Sequence, residues 1–183
     1  MRVALHKDKF AELLLYVAKA CADDPTFGAT KLNKILFFSD FLAYRKRLKS
    51  ITGATYQKLD HGPAPKCLLP VQKELLHDKA LAIQEITRYG RTQKRPIALR
   101  EPNLDGFDAP EIAIVNEVIK ALWGVSATET SELSHGFWWH IAKLNEVIPI
   151  EVSLVDIPDE VSVKETEHAK TLEAQAAQLA NAA

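Results

Sequence analysis

Residues 31–44 form a helical segment with an unusually wide apolar stripe, and they restrict the fold more than any other segment. Aliphatic residues recur there at three- and four-residue spacing, and aromatic residues widen the stripe. The apolar members are Leu32, Ile35, Leu36, Phe37, Phe38, Phe41, Leu42, Ala43 and Tyr44. A helix that is apolar over so much of its circumference packs against neighbours on several sides. We therefore expect residues 30–48 to form the central helix of one domain.

Size and composition are those of a single soluble domain. The chain has 183 residues, of which 47% are apolar and 26% are charged, which is enough to bury one core. It contains no apolar run of about 18 residues and no signal-peptide pattern, so we expect a cytoplasmic protein without membrane association. Because Cys21 and Cys67 show no paired spacing, a structural disulfide is not expected.

Helices are predicted on both sides of the central one. Apolar spacing predicts a helix over residues 8–21. Pro65 suits the first turn of another helix, where its missing donor would be unpaired anyway. Capping boxes at Asp108 and Ser126 predict two more helix starts. Residues 140–147 are expected to add one or two helical turns.

Strands are predicted in two regions. Residues 54–59 alternate weakly between apolar and polar, and Gly62-Pro63 is expected to break that strand. Residues 81–88 and 96–99 are predicted to form a hairpin joined by a polar, basic loop. The predicted fold class is therefore α+β and predominantly helical, with about five to six helices and a small antiparallel sheet.

The composition changes near the end of the chain. Residues 148–157 are apolar and β-branched, which predicts an edge strand. From residue 164 onward alanine, glutamine, glutamate and lysine dominate, and two heptads with many alanines are too few to hold a helix unaided. We expect residues 1–146 to form the domain, residues 147–163 to extend it, and residues 164–183 to be disordered or to be ordered by a partner.

Catalytic, metal and cofactor patterns are missing from the sequence. Asp60 and His61 are adjacent on a predicted strand and therefore point to opposite faces, while His135 and His140 are separated by about 140° on a helix. No serine lies in a nucleophile elbow, and no glycine loop could cradle a phosphate. We expect neither enzymatic activity nor a bound metal or cofactor.

Two adjacent tryptophans mark one candidate contact surface. Trp138 and Trp139 cannot both point inward from one regular element, and tryptophan often anchors protein interfaces. Two interpretations remain open at this point. Either one of the rings contacts a partner, or both pack under neighbouring segments.

A basic loop marks a second candidate surface. The cations in or beside the predicted hairpin loop are Arg88, Arg91, Lys94 and Arg95. Such a loop is a solvated tip or a contact for phosphate or an acidic partner. Tyr89 could stack on a base, but single-strand binders generally use several aromatic residues. Nucleic-acid binding is therefore the second hypothesis.

Three separated motifs together resemble the SocA-like Panacea domain of bacterial and phage antitoxins. They are the helix from Lys31 to Phe38, the turn His61-Gly62-Pro63, and Leu133-Ser134-His135 with a tryptophan downstream. The resemblance spans roughly residues 8–140. Two positions depart from the family pattern, since His61 replaces the usual aromatic residue and Phe37 stands where tyrosine is common. The residues on the pattern are Leu32, Lys34, Phe38, Gly62, Pro63, His135 and one of Trp138 and Trp139.

The resemblance implies a non-enzymatic domain that neutralises a cognate toxin by direct binding, and in some relatives the antitoxin is thought to hand the toxin to a protease. The identity of the toxin varies across the family and does not transfer. We expect Leu32, Phe38, Gly62 and Pro63 to maintain the structure. The residues expected to contact the partner are Lys34, His135, Trp138, Trp139, Arg88, Arg91, Lys94 and Arg95. A nucleic-acid-binding regulator that uses the basic loop is the alternative.

Overall fold

The structure is a computed structural model that describes residues 4–88 and 91–155. Its helices are α1 Lys7–Ala20, α2 Ala29–Arg47, α3 Leu68–His77, α4 Ala109–Leu122, α5 Ala127–Leu133 and α6 Phe137–Ile141. Its strands are β1 Tyr56–Leu59, β2 Gly62–Pro65, β3 Leu81–Arg88, β4 Arg91–Ala98 and β5 Val147–Ile148, and a 3-10 turn covers Ile150–Leu154. The predicted fold class, α+β and predominantly helical, is confirmed.

Helix α2 is the centre of the domain, as its apolar stripe predicts. It packs against α1, α4, α5, β2, β4 and the 3-10 turn. Leu32, Ile35 and Leu36 are fully buried on it. The Phe37 and Phe41 rings each meet the ring of Tyr56 at 5.5 Å between centroids, edge to face, a favourable aromatic geometry. The wide apolar face of α2 therefore lies at the centre of the hydrophobic core.

The first sheet is antiparallel, with strand order β2-β1-β5. Tyr56 pairs with Pro65 on one side and with Ile148 on the other. Two predictions are wrong here, because Gly62-Pro63 opens strand β2 and Pro65 ends that strand instead of starting a helix. The prolines are tolerated because β2 is an edge strand. No further strand pairs with its outer side, so the backbone N–H groups that proline lacks are not needed there.

The second sheet is the hairpin β3-β4, which is longer than predicted. Strand β4 begins at Arg91, so Lys94 and Arg95 lie within a strand and not in a loop. Lys94 is opposite Glu85 in the register, with 4.0 Å between their charged atoms. The polar stretch before residue 96 lacks the apolar alternation that marks a strand in a sequence. Cross-strand pairs and packing on α1 stabilise it instead.

Both predicted capping boxes are present. The Asp108 carboxylate accepts a hydrogen bond from the Glu111 backbone at 2.8 Å, and the Glu111 side chain accepts one from the Asp108 backbone at 3.0 Å. The Ser126 hydroxyl and the Glu129 side chain make the same reciprocal pair at the start of α5. These bonds satisfy backbone donors at each helix start. The two predicted helix starts are confirmed.

The end of the described chain departs from its prediction. Strand β5 has only two residues, and Pro149 separates it from a 3-10 turn, so residues 148–155 do not form the predicted strand. Helix α6 begins at Phe137 and ends at Ile141, earlier than the helical turns predicted for residues 140–147. The predicted tail, residues 164–183, lies outside the described residues.

Two other sequence expectations concern the described part of the chain. Cys21 and Cys67 are both free thiols. Across residues 4–88 and 91–155, we find no helix with the length and apolar character that crossing a membrane requires.

Candidate functional site

The three sequence motifs meet at one place in the structure. Lys34 comes from α2, Gly62 and Pro63 from β2, and His135 from the connection between α5 and α6. The Lys34 ammonium donates a hydrogen bond to the Pro63 carbonyl at 3.0 Å. The Ser134 hydroxyl, next to His135, and the Lys34 ammonium both lie close to the point that a Cβ of Gly62 would occupy. Residues separated by up to a hundred positions thus form one local assembly.

Gly62 is required at this meeting point for two reasons. Its φ is +94°, a backbone conformation that residues with a Cβ rarely adopt. A Cβ at this position would also lie 2.5 Å from the Ser134 hydroxyl and 2.7 Å from the Lys34 ammonium. The glycine therefore allows β2 to pass directly over the lysine.

Lys34 is buried and lacks a carboxylate partner in the described part of the chain. Its side chain is 1% exposed, and its acceptor there is the Pro63 carbonyl. Burial lowers the Lys34 pKa to about 8, because transfer out of water disfavours the charged form. The sequence predicted a contact residue on the surface, whereas the structure places Lys34 beneath the surface that carries His135.

His135 stacks on Trp139. The two rings are 3.7 Å apart between centroids and nearly parallel, at 10°. Burial lowers the His135 pKa, and the charge of nearby Lys34 lowers it further, so the imidazole is mainly neutral at neutral pH. The Ser131 hydroxyl lies 3.5 Å from Nε2 of His135. It donates a hydrogen bond to the His61 carbonyl at 2.6 Å. His135 is thus an aromatic surface element held by its neighbours.

Trp139 is fixed from two directions. Its indole N–H donates to the Leu59 carbonyl at 3.2 Å, which ties α6 to the end of β1. The Lys58 ammonium lies 4.3 Å from the ring centroid and also donates to the Ala142 carbonyl at 2.9 Å. A cation over an indole face is attracted by the ring quadrupole. The His135-Trp139 stack is therefore held in a defined orientation.

Trp138 and Trp139 are both partly buried and pack against the core. Of the two open interpretations, packing under neighbouring segments describes both rings. Both rings also line a surface cleft, so contact of either ring with a partner stays a prediction. The third tryptophan, Trp123, is 46% exposed at the end of α4.

The cleft has a volume of about 970 Å³ and runs between α2, α4, α6 and the 3-10 turn. Its lining is mostly apolar and aromatic. Pro63, Ser134 and His135 form the wall in front of Lys34. The principal apolar residues of the lining are Phe37, Phe38, Phe41, Leu42, Val118, Leu133, Trp138, Trp139 and Val152. The motif residues thus form one side of an open apolar groove.

Buried ionisable residues on α2 were missed by the sequence analysis. Lys31 is completely buried, and its ammonium donates to Asp24 at 2.8 Å, to the Leu122 carbonyl at 2.9 Å and to the Thr26 hydroxyl. Burial alone would raise the Asp24 pKa, but hydrogen bonds from Lys31 and Thr26 outweigh it and keep that pKa below its ordinary value. The three N–H donors of the Lys31 ammonium thus have three acceptors, so the buried ion pair is satisfied. The bond to Leu122 also joins α2 to α4.

Asp40 is the other buried ionisable residue of α2. Its carboxyl accepts from the Thr52 backbone at 2.8 Å and contacts the Tyr56 hydroxyl at 2.8 Å. Burial raises the Asp40 pKa. The only signal in the sequence was that Lys31, Lys34 and Asp40 interrupt an otherwise apolar stripe. These groups brace α2 from inside and leave the cleft to the apolar residues.

The predicted basic cluster is divided in the structure. Arg95 donates to backbone carbonyls after α1, at 3.0 Å to Asp24 and 3.3 Å to Cys21, and thus satisfies acceptors at a helix end. Lys94 lies opposite Glu85. For Arg88 and Arg91 the structure describes the backbone but not the side chains. Nucleic-acid binding stays a prediction. Arg95 is no longer a candidate contact for it, because its guanidinium already donates to backbone carbonyls.

Histidines do not form a metal site in the described part of the chain. The His135 and His140 rings are 6.4 Å apart between centroids. Asp60 and His61 lie in the turn between β1 and β2, not on a strand as predicted. Within residues 4–88 and 91–155, no group of three or more histidine, cysteine, aspartate or glutamate residues could hold a metal ion.

Comparison with known proteins identifies the family. A family model described as antitoxin SocA-like, Panacea domain, matches residues 32–140, which is more than half of the chain. The match starts later than the predicted span, and it includes the second and third motifs and the first motif from Leu32 onward. Neither the curated proteins nor the solved structures gave a significant match. The chain therefore belongs to the antitoxin SocA-like, Panacea domain family.

Proposed function

We propose that this protein neutralises a cognate toxin by binding it directly in the cleft beside α2. Membership of the family supports a general antitoxin role and a toxin partner. The observation that carries the more specific proposal is the position of the cleft. The family motifs converge to build one of its walls, with His135 and Trp139 at the surface and Lys34 behind them.

The lining has the character of a protein-binding surface. Phe38, Leu42 and Trp138 present large apolar side chains in a concave site, which is where binding energy concentrates in protein interfaces. His135 and Trp139 are already oriented by stacking and by hydrogen bonds. Binding therefore costs little ordering of these side chains, which favours affinity.

The proposed mechanism is non-enzymatic. The short hydrogen bond of the Ser131 hydroxyl goes to the His61 carbonyl at 2.6 Å, and its contact with His135 Nε2 is longer, at 3.5 Å, which supports a structural role for this serine. Direct binding needs only a complementary surface. Delivery of the toxin to a protease is a variant of the same proposal, in which the bound complex is handed on after docking in the cleft.

Co-expression with the product of the neighbouring gene tests the proposal. We expect that product to stop growth when it is expressed alone, and we expect growth to recover when this protein is present in excess. The two proteins should also co-purify. A neighbouring product that is harmless alone, or that stays toxic together with this protein, would remove the antitoxin proposal. Recovery without co-purification and with disappearance of the toxin would favour delivery to a protease.

A further inference from the structure

Helix α2 carries two buried lysines whose surroundings differ. The Lys31 ammonium has three acceptors, which include the Asp24 carboxylate. The Lys34 ammonium is also buried, but the Pro63 carbonyl, at 3.0 Å, is its one hydrogen-bond acceptor in the part of the chain that the structure describes. An ammonium has three N–H donors. Lys31 is therefore satisfied within the fold, whereas Lys34 is short of acceptors and of negative charge.

The Lys34 ammonium lies immediately behind one wall of the cleft. Pro63, Ser134 and His135 form the lining at this place. The ammonium and the Ser134 hydroxyl are 2.7 Å and 2.5 Å from the same point, the position that a Cβ of Gly62 would occupy. The unmatched positive charge is thus just beneath the surface that a docked partner would touch.

The wall in front of Lys34 offers a hydrogen-bond donor and no negative charge. The Ser134 hydroxyl is already used, since it donates to the Ser131 carbonyl at 2.6 Å. The imidazole of His135 is mainly neutral at neutral pH and keeps one ring N–H. Among the described residues, no aspartate or glutamate lines the cleft, and Arg45, which does line it, already has an interaction of its own.

The pKa of Lys34 agrees with an ammonium that has no anion beside it. Burial lowers this pKa to about 8, and no carboxylate of the described residues offsets the effect. The group is nevertheless mainly charged at pH 7. A carboxylate brought to the wall would pair with this charge, and such a pair gains more in a poorly hydrated site than in open water.

We propose that the wall formed by Pro63, Ser134 and His135 is a subsite for a carboxylate, which an aspartate or glutamate within an apolar segment of the docked protein supplies. The carboxylate accepts a hydrogen bond from the His135 ring and neutralises Lys34 behind the wall. Phe38 and the rest of the apolar lining hold the neighbouring side chains of that segment. The source of the carboxylate rests on the proposed function, whereas the subsite itself does not.

Small ligands test the subsite without a toxin. Hexanoate combines a carboxylate with an apolar chain, and 1-hexanol is its uncharged counterpart. At pH 7 we expect hexanoate to bind the full-length protein at least about tenfold more tightly than hexanol, measured by the shift of the Trp139 indole N–H signal in NMR titrations. Lys34→Met should remove this preference. Lys66→Met is the matched control and should keep it, because Lys66 is exposed and does not line the cleft.

Ser134→Asp tests the same subsite with the lysine retained. The new carboxylate would lie beside the Lys34 ammonium and occupy the subsite from within the chain. We therefore expect this variant also to lose the preference for hexanoate. Thermal unfolding midpoints establish that each variant is folded.

Two results would overturn the subsite. Equal binding of hexanoate and hexanol by the wild type would show that the wall does not select a carboxylate. A preference that persists in folded Lys34→Met would assign it to another cation.

The neighbouring gene's product tests the source of the carboxylate. Folded Lys34→Met should bind that product at least about tenfold more weakly than the wild type. An unchanged Kd would contradict an acidic side chain at the wall, while binding by the wild type would still support the proposed function. If the product does not bind the wild type, the proposed function fails and the hexanoate titration still decides the subsite.

Discussion

The Lys34 ammonium lies 2.7 Å from the point that a Cβ at residue 62 would occupy, so the lysine and the glycine fit together only because Gly62 has no side chain. This relationship joins two of the three family motifs. Ser134, from the third, is 2.5 Å from the same point. The motifs are therefore parts of one packing arrangement behind the cleft.

Replacing Gly62 should be costly. Gly62→Ala combines a positive φ with two close contacts, and we expect a loss of roughly 2–3 kcal/mol in the free energy of unfolding, measured by denaturant titration. Gly106→Ala is the control, because nothing lies within 4 Å of a Cβ there, and it should change stability by less than about 0.5 kcal/mol. Equal effects of the two substitutions would show that the packing at Gly62 is not restrictive.

Lys34 should make stability depend on pH in the alkaline range. Its pKa is about 8 in the folded protein and 10.5 as the reference for the unfolded chain. Between these values the unfolded chain binds more protons, so stability rises with pH. Relative to Lys34→Met, the wild type should gain roughly 3 kcal/mol from pH 7 to pH 10.5. Denaturant titrations of both proteins test this, and parallel pH profiles would contradict a depressed Lys34 pKa.

The buried pair of Lys31 and Asp24 should contribute far more than a surface pair. Lys31→Ala leaves a buried carboxylate without its cation, and we expect a loss of roughly 3–5 kcal/mol. Lys46→Ala, on the same helix, removes an exposed pair with Glu117 and should cost less than about 1 kcal/mol. Thermal unfolding midpoints compare the two directly. Similar shifts of the two midpoints would contradict a large contribution of the Lys31–Asp24 pair to stability.

Much of the fold could be predicted because its signals are local. The apolar spacing of α2 and the capping boxes at Asp108 and Ser126 specify helices through neighbouring residues. Strand β2 could not be predicted in the same way, since its two prolines indicate a break unless the strand is known to lie at an edge. The polar start of β4 pairs with β3 across the hairpin, where Lys94 lies opposite Glu85, and this pairing has no local signature in the sequence.

The candidate site shows the same division between local and long-range information. The family-like motifs drew attention to Lys34, Gly62 and His135, but spacing along the chain does not show that these residues meet. The sequence around Lys34 also gave no reason to place this lysine in the interior. Polar residues are ordinarily exposed, and burial of Lys34 depends on the Pro63 carbonyl, which only the folded β hairpin provides.

The affinity of the purified protein for the neighbouring gene's product, compared between two matched variants, tests the central claim most directly. Ala121 lines the cleft and Ala113 does not, and both are exposed on α4. Ala121→Glu would place an unpaired carboxylate at the docked interface and should raise the Kd by at least about tenfold, while Ala113→Glu should leave it unchanged. An unchanged Kd for folded Ala121→Glu would contradict the cleft as the toxin-binding surface.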